Sequence, residues 1–164
     1  MRSGLDVVPL DLADDRTARS VLALQRAAYA VEAALIGSDG IPALTESLEQ
    51  LRGRDESWLG LFDSLGLSGA LAWCELDDGT VEICGLVVAP RAFRQGIGTS
   101  LLDALDEAFP GRPMVVSTGS ANAPAIGLYR RRGFSPVRER EAAPGLFVTE
   151  LERQAGERRG PGAR

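Results

Sequence analysis

The chain has 164 residues, enough for one domain with its own core. The formal net charge is −5 and 25% of the residues are charged, which leaves no basic excess of the kind nucleic acid selects. There is no histidine and there are two cysteines, which excludes a Ser-His-Asp or Cys-His triad, a His-ligated zinc site and an all-cysteine tetrahedral site.

The first apolar run, residues 5–12, predicts a strand. Asp14 or Asp15 can cap the helix that follows, whose apolar face is set by Val21, Leu22, Leu24, Ala28 and Tyr29. The stretch SDGIP breaks this helix. A second helix over 43–53 places Leu44, Leu48 and Leu51 on one face and stops at Gly53. Strands are predicted at 58–62, 70–76 and 81–88, the last two joined by a two-residue turn at Asp78-Gly79. That turn would put Cys74 opposite Ile83 and send Cys84 to the other face, so the cysteines would not bridge.

A helix after Gly96 carries Ile97, Leu101, Leu102 and Leu105 inward. Residues 114–119 form a short buried strand. The next helix has Pro124 in its first turn, arginines in its last and Gly133 just beyond. Strands near 136–142 and 146–152 close a single domain over 1–153, and the Gly-, Pro- and Arg-rich residues 154–164 are expected to be disordered. Hairpins mixed with βα units imply a mixed sheet, hence an α/β (α+β) fold. No apolar run approaches a membrane span and the first residues lack a signal-peptide core. A cytoplasmic location with reduced cysteines is expected.

Three segments can carry chemistry. Arg94-Gln95-Gly96-Ile97-Gly98-Thr99 opens a helix, whose unpaired first-turn amides and dipole suit an anion; its plainer reading is a tight turn. It is not a dinucleotide fingerprint, because Leu101 stands where the third glycine belongs, and it lacks the lysine of a Walker loop. Glu82 lies in an apolar strand, where desolvation would raise its pKa towards that of a general base; its plainer reading is a solvated hairpin end. Asn122 and Tyr129 read by themselves as a cap and a core aromatic. Cys84 reads as a small hydrophobe. Arg130, Arg131 and Arg132 read as a solvated helix end.

Taken in order, these pieces resemble the GNAT family of N-acetyltransferases, over residues 5–152 and most closely over 81–134. Its Q/R-x-x-G-x-G/A loop is matched by Phe93-Arg94-Gln95-Gly96-Ile97-Gly98, and its N-x-x-A-x-x-L-Y-x-x-x-G-F pattern by Asn122, Ala125, Leu128, Tyr129, Gly133 and Phe134. Phe93 departs from the first motif position, and Arg94 beside it is the candidate substitute.

The resemblance implies the acyl-CoA N-acyltransferase fold, a mixed sheet of about seven strands flanked by four helices. It implies acetyl transfer from acetyl-CoA to a primary amine by direct attack. The amides of Gln95, Gly96, Gly98 and Thr99, with Arg94, would hold the CoA pyrophosphate. The strand-end backbone of Leu86, Val87 and Val88 would pair with pantetheine where two strands splay. Asn122 would bond pantetheine or hold the local backbone. Glu82 would be the base, Tyr129 the acid, and a backbone N–H of the 84–88 strand would steady the oxyanion. No metal, nucleic acid or membrane partner is implied, and a homodimer is compatible with the family. Glu32, Asp39, Glu46 and Glu49 in the first two helices would suit a cationic acceptor or form a solvated face. The rival reading is an inactive acyl-CoA sensor or interaction domain, since fold does not fix function.

Overall fold

The computed structural model describes residues 6–37 and 45–156. In chain order it contains β1 (Val7–Leu10), α1 (Asp15–Ile36), α2 (Leu48–Arg52), β2 (Ser57–Asp63), β3 (Gly66–Glu75), β4 (Val81–Val88), a 3₁₀ turn (Pro90–Ala92), α3 (Ile97–Ala108), β5 (Met114–Gly119), α4 (Ala123–Arg131), β6 (Ser135–Ala143) and β7 (Leu146–Arg153). The seven strands form one sheet in the order β1-β2-β3-β4-β5-β7-β6. Every pairing is antiparallel except β4 with β5. This is the mixed seven-stranded sheet with four helices that the sequence predicts.

The helices start and stop where local chemistry tells them to. The Asp14 carboxylate accepts from the Thr17 amide at 3.0 Å and caps α1, and Gly37 ends it at φ 69°. Ser47 and Gln50 form a reciprocal capping box on α2. That helix is shorter than predicted: its start at Leu48 follows the Ser47 cap, and Leu44 lies outside the described residues. Gly53 closes it in a right-handed conformation (φ −81°) and not the left-handed one the sequence suggests.

The core forms between the sheet and its helices. α3 covers one face, with Ile97, Leu101, Leu102 and Leu105 all buried as predicted. A Cβ on Gly69 of β3 would lie 2.5 Å from Ile97, so glycine there lets α3 sit close on the sheet. α1 packs on β3 and β4 from the opposite face. Residues 155–156 form a turn whose Gly156 amide donates to the Gly111 carbonyl at 2.9 Å; residues 157–164 lie outside the described residues. Among the described residues no helix is long and apolar enough to cross a membrane.

Candidate active site

The loop between β3 and β4 sets the geometry of the site. The sequence suggests a two-residue turn, but Leu76 and Thr80 still pair (2.8 Å) and Gly79 takes φ 89°. The connection is therefore a three-residue loop with a left-handed glycine. This slips the register by one, so Cys74 stands opposite Glu82 and not Ile83. A slip of one residue exchanges the faces of a strand, and the expected separation of the cysteines is overturned. Their sulfurs are 3.6 Å apart on one face.

A second irregularity follows. Trp73 pairs with Ile83 and Ala72 with Gly85, leaving Cys84 as an extra residue in β4. This is a β-bulge, which frees backbone from the ladder and bends the strand. It lies where β4 and β5 part. The two strands pair only over Val81–Ile83 and Met114–Val116. β4 then continues with β3 to Val88, and β5 continues with β7 to Gly119. The splay expected beside Leu86, Val87 and Val88 is present. Their β5-facing backbone is unmatched by that strand, while the Val87 side chain is in the core.

A cavity of about 100 Å³ occupies the opening. Cys84, Gly85, Ser117 and Thr118 line it from the strands. Tyr29 and Glu32 reach it from α1, and Asn122 and Tyr129 from the start and body of α4. Gly85 makes room for this: a Cβ there would stand 3.3 Å from the Tyr29 hydroxyl. Burial pushes the Tyr29 hydroxyl up to about 12 and raises that of Tyr129 further, so both stay protonated through the physiological range. Burial also raises the Glu32 carboxyl, against a hydrogen bond with Asn122 that lowers it. The Asn122 Oδ1 accepts from the Ala125 amide at 3.2 Å and caps α4.

The glycine loop lies at the N-terminus of α3. Arg94 (φ 66°) and Gly96 (φ 76°) both take left-handed backbone, and no side chain caps the helix. The first-turn amides are therefore left for an external acceptor. The two glycines serve different ends. Gly96 supplies the φ, with nothing within 4 Å of an added Cβ, whereas a Cβ on Gly98 would come within 3.3 Å of Leu128. Arg94 and Gln95 are exposed and Thr99 is half-buried.

Glu82 is not among the residues lining the cavity. Its Oε1 lies 3.6 Å from Cys74 Sγ, two residues along β4 from the bulge. Of the acidic residues on the first two helices, only Glu32 among those described reaches the cavity. Glu46 is tied to Arg54 (2.6 Å) and Gln25 (2.8 Å), Glu49 is exposed, and Asp39 lies outside the described residues. Arg132 is not solvated, as the arginine run suggests, but buried against Asp103 and Asp106 at 2.8 Å each. A larger hollow of about 690 Å³, lined by Arg52, Arg54, Glu56, Trp58 and Trp73 among others, holds none of the expected site residues.

Sequence reasoning places Tyr29 on the apolar face of α1 and no further. Its hydroxyl matters because Gly85 is a glycine and leaves room for it on the strand. The bulge itself leaves no signal except that glycine inside a strand.

Comparison with known proteins agrees with this architecture. The family model described as the acetyltransferase (GNAT) family matches residues 25–134. A UPF0157 protein of Bacillus subtilis, YqkA, is 37% identical over 133 residues; the match covers 80% of this chain but 38% of that relative's length. Among solved structures, the ribosomal-protein-S18-alanine N-acetyltransferase of Escherichia coli superposes with a TM-score of 0.71 at 17% identity, covering 98% of this chain and 99% of that one. YncA of Salmonella typhimurium, a putative acetyltransferase solved with acetyl-CoA, gives 0.69 at 21% identity, covering 99% and 100%. The PaiA N-acetyltransferase of Thermoplasma acidophilum, solved with coenzyme A, gives 0.68 at 16% identity, covering 89% and 97%. With the parted β4–β5 seam and the uncapped α3 N-terminus beside it, the match over residues 25–134 places this chain in the GNAT acetyltransferase family.

Proposed function

We propose that the protein transfers the acetyl group of acetyl-CoA to a primary amine, with the reacting atoms in the β4–β5 seam. The observation that carries this is Tyr129, buried in the cavity where β4 and β5 separate. The seam supplies an unpaired strand edge for the pantetheine arm, from Leu86 to Val88. The uncapped start of α3 supplies amides from Gln95 to Thr99 for the pyrophosphate, with Arg94 adding charge. These roles are supported by the family's chemistry and by the adjacency of the two features.

The amine arrives as an ammonium ion. Glu32, the cavity's own carboxylate, attracts it. Glu82 takes its proton by way of water, since two residues of strand, about 7 Å, separate it from the bulge. The neutral nitrogen attacks the thioester carbon. A backbone N–H freed by the bulge at Cys84–Gly85 donates to the oxyanion. The carbon–sulfur bond then breaks, the sulfur takes a proton from Tyr129, and the nitrogen's excess proton passes to water, which returns one to the tyrosinate.

Release of the CoA thiol from acetyl-CoA, measured against a panel of amines, tests the reaction. Glu82→Gln should lower the rate most at low pH, where the amine is hardest to deprotonate. A low-pH loss in Glu32→Gln with none in Glu82→Gln would move the base to Glu32. Binding is tested separately: acetyl-CoA or CoA at a hundredfold over Kd should stabilise the fold by about 2.7 kcal/mol. Stabilisation without thiol release for any amine would favour the acyl-CoA sensor.

A further inference from the structure

The β3–β4 ladder holds a cluster that acetyl transfer does not explain. Cys74 Sγ and Cys84 Sγ are 3.6 Å apart, and Glu82 Oε1 is 3.6 Å from Cys74 Sγ. All three potential ligand atoms lie within 4.8 Å of one another. The Glu56 carboxylate, just ahead of β2, is near enough to help raise the Cys84 thiol, after burial. Both cysteines are half-buried and unbridged. Two soft sulfurs and one or two carboxylates are a donor set that suits zinc-like ions and not magnesium or calcium.

The spacing fits as well as the chemistry. On a tetrahedral ion with Zn–S of about 2.3 Å and Zn–O of about 2.0 Å, two sulfurs lie about 3.8 Å apart and a sulfur and an oxygen about 3.5 Å apart. The observed 3.6 Å for both pairs needs only small rotations of the side chains. The three-residue loop puts Glu82 opposite Cys74, and strand alternation puts Cys84 on the same face as Glu82, so one irregularity gathers the three ligands.

We propose that Cys74, Glu82 and Cys84 bind one thiophilic divalent cation of the zinc type, with Glu56 or a water as the fourth ligand. Binding exchanges two S–H bonds for two sulfur–metal bonds and releases two protons, while the Glu82 carboxylate joins without losing one. The ionisable groups facing the thiols are Glu82 and Glu56, and Arg54 pairs with Glu56 at 3.2 Å. One consequence rests on the acetyl-transfer reading above: an ion that holds Glu82 withdraws the base, so occupancy inhibits acetylation.

The test is a titration of the reduced full-length protein with cadmium, then with zinc in competition. The expected result is a thiolate-to-metal charge-transfer band that saturates at one ion per chain and release of two protons per ion. Cys74→Ser should weaken binding on the order of a hundredfold or more, above the roughly 10–100-fold that loss of an outer partner costs. Glu82→Gln, close in shape, should weaken it more than tenfold while the sulfur band persists; it serves as the second variant if Cys74→Ser unfolds. No band, or wild-type affinity in both variants, overturns the site. Full cadmium occupancy with unchanged acetylation would leave the site standing and sink Glu82 as the base.

Discussion

Two polar clusters flank the sheet, and they are completed differently. At the end of α4, Arg132 and Arg153 meet Asp103 and Asp106, so two cations answer two carboxylates. Arg153 also donates to the Arg132 carbonyl at 3.0 Å and lies over the Phe134 ring at 4.9 Å. Beside the β4 bulge, by contrast, Glu82 faces two thiols, and the nearby cavity gathers Tyr29, Glu32 and Tyr129 around empty volume. The first cluster pairs its charges within the protein, with only the Nε atoms of Arg132 and Arg153 buried without a hydrogen-bond partner among the described residues. The second keeps donors, acceptors and volume available for a ligand. Structure and chemistry are thus separated on one scaffold, and substitutions in the two places should differ in what they damage.

The largest effect is expected at Tyr129. Tyr129→Phe keeps the ring that packs edge-on against Phe134 and removes only the hydroxyl. Turnover should fall about 10²–10⁴-fold, the usual worth of a positioned acid, while acetyl-CoA affinity and thermal stability stay close to wild type. Unchanged turnover in a steady-state assay would remove Tyr129 from the chemistry. The closed cluster should respond in the opposite way. Asp106→Ala strands the buried Arg153 guanidinium and leaves Arg132 with Asp103 alone, at a cost of about 3–5 kcal/mol of stability. Urea denaturation measures this directly. A loss of activity without a loss of stability would mean that the cluster is not structural.

A smaller change separates the two roles within the glycine loop. Gly96→Ala meets no neighbour, so its whole effect is the left-handed backbone at φ 76°. About 1–2 kcal/mol of destabilisation is expected. If the loop cradles pyrophosphate, acetyl-CoA affinity falls as well, and Gly96→Asn restores part of both because Asn tolerates that region. Weakened folding with unaltered acetyl-CoA affinity would reduce the loop to a turn.

The same contrast explains what could be read from the chain beforehand. Leu101, Leu102 and Leu105 announce α3 through their spacing, and Met114–Gly119 announces β5, because burial imposes a period that sequence records. Asn122 and Gly133 mark the ends of α4 because caps are local. The site depends on less local facts. Whether Asp78-Gly79 makes a two- or a three-residue loop is decided by how the flanking strands pair, and that one residue determines which face Cys84 and Glu82 share. Arg132 is indistinguishable in sequence from Arg130 and Arg131. It is buried because the end of α4 brings it over the two aspartates of α3, a tertiary juxtaposition that no window of residues contains.

The smallest expected effect concerns Glu32, and its sign separates a tuned carboxylate from a structural one. Burial raises its pKa above the ordinary value of 4.5. Between those two values the folded state holds a proton that the unfolded chain has lost. Stability conferred by the protonated form is therefore complete below the unfolded pKa and declines as pH rises through the folded one. Glu32→Gln keeps the shape and the capacity to bond Asn122 but cannot ionise. It should gain on wild type near neutrality and show no advantage in acid, where Glu32 is already protonated. Thermal unfolding of both proteins across this range measures the difference. An advantage that is equal at every pH would mean that packing, not charge, governs the position. In the assay, a Glu32→Gln protein that is more stable yet has a higher KM for the amine would show that its burial serves the acceptor at the expense of the fold, which is the relation expected of the open cluster and not of the closed one.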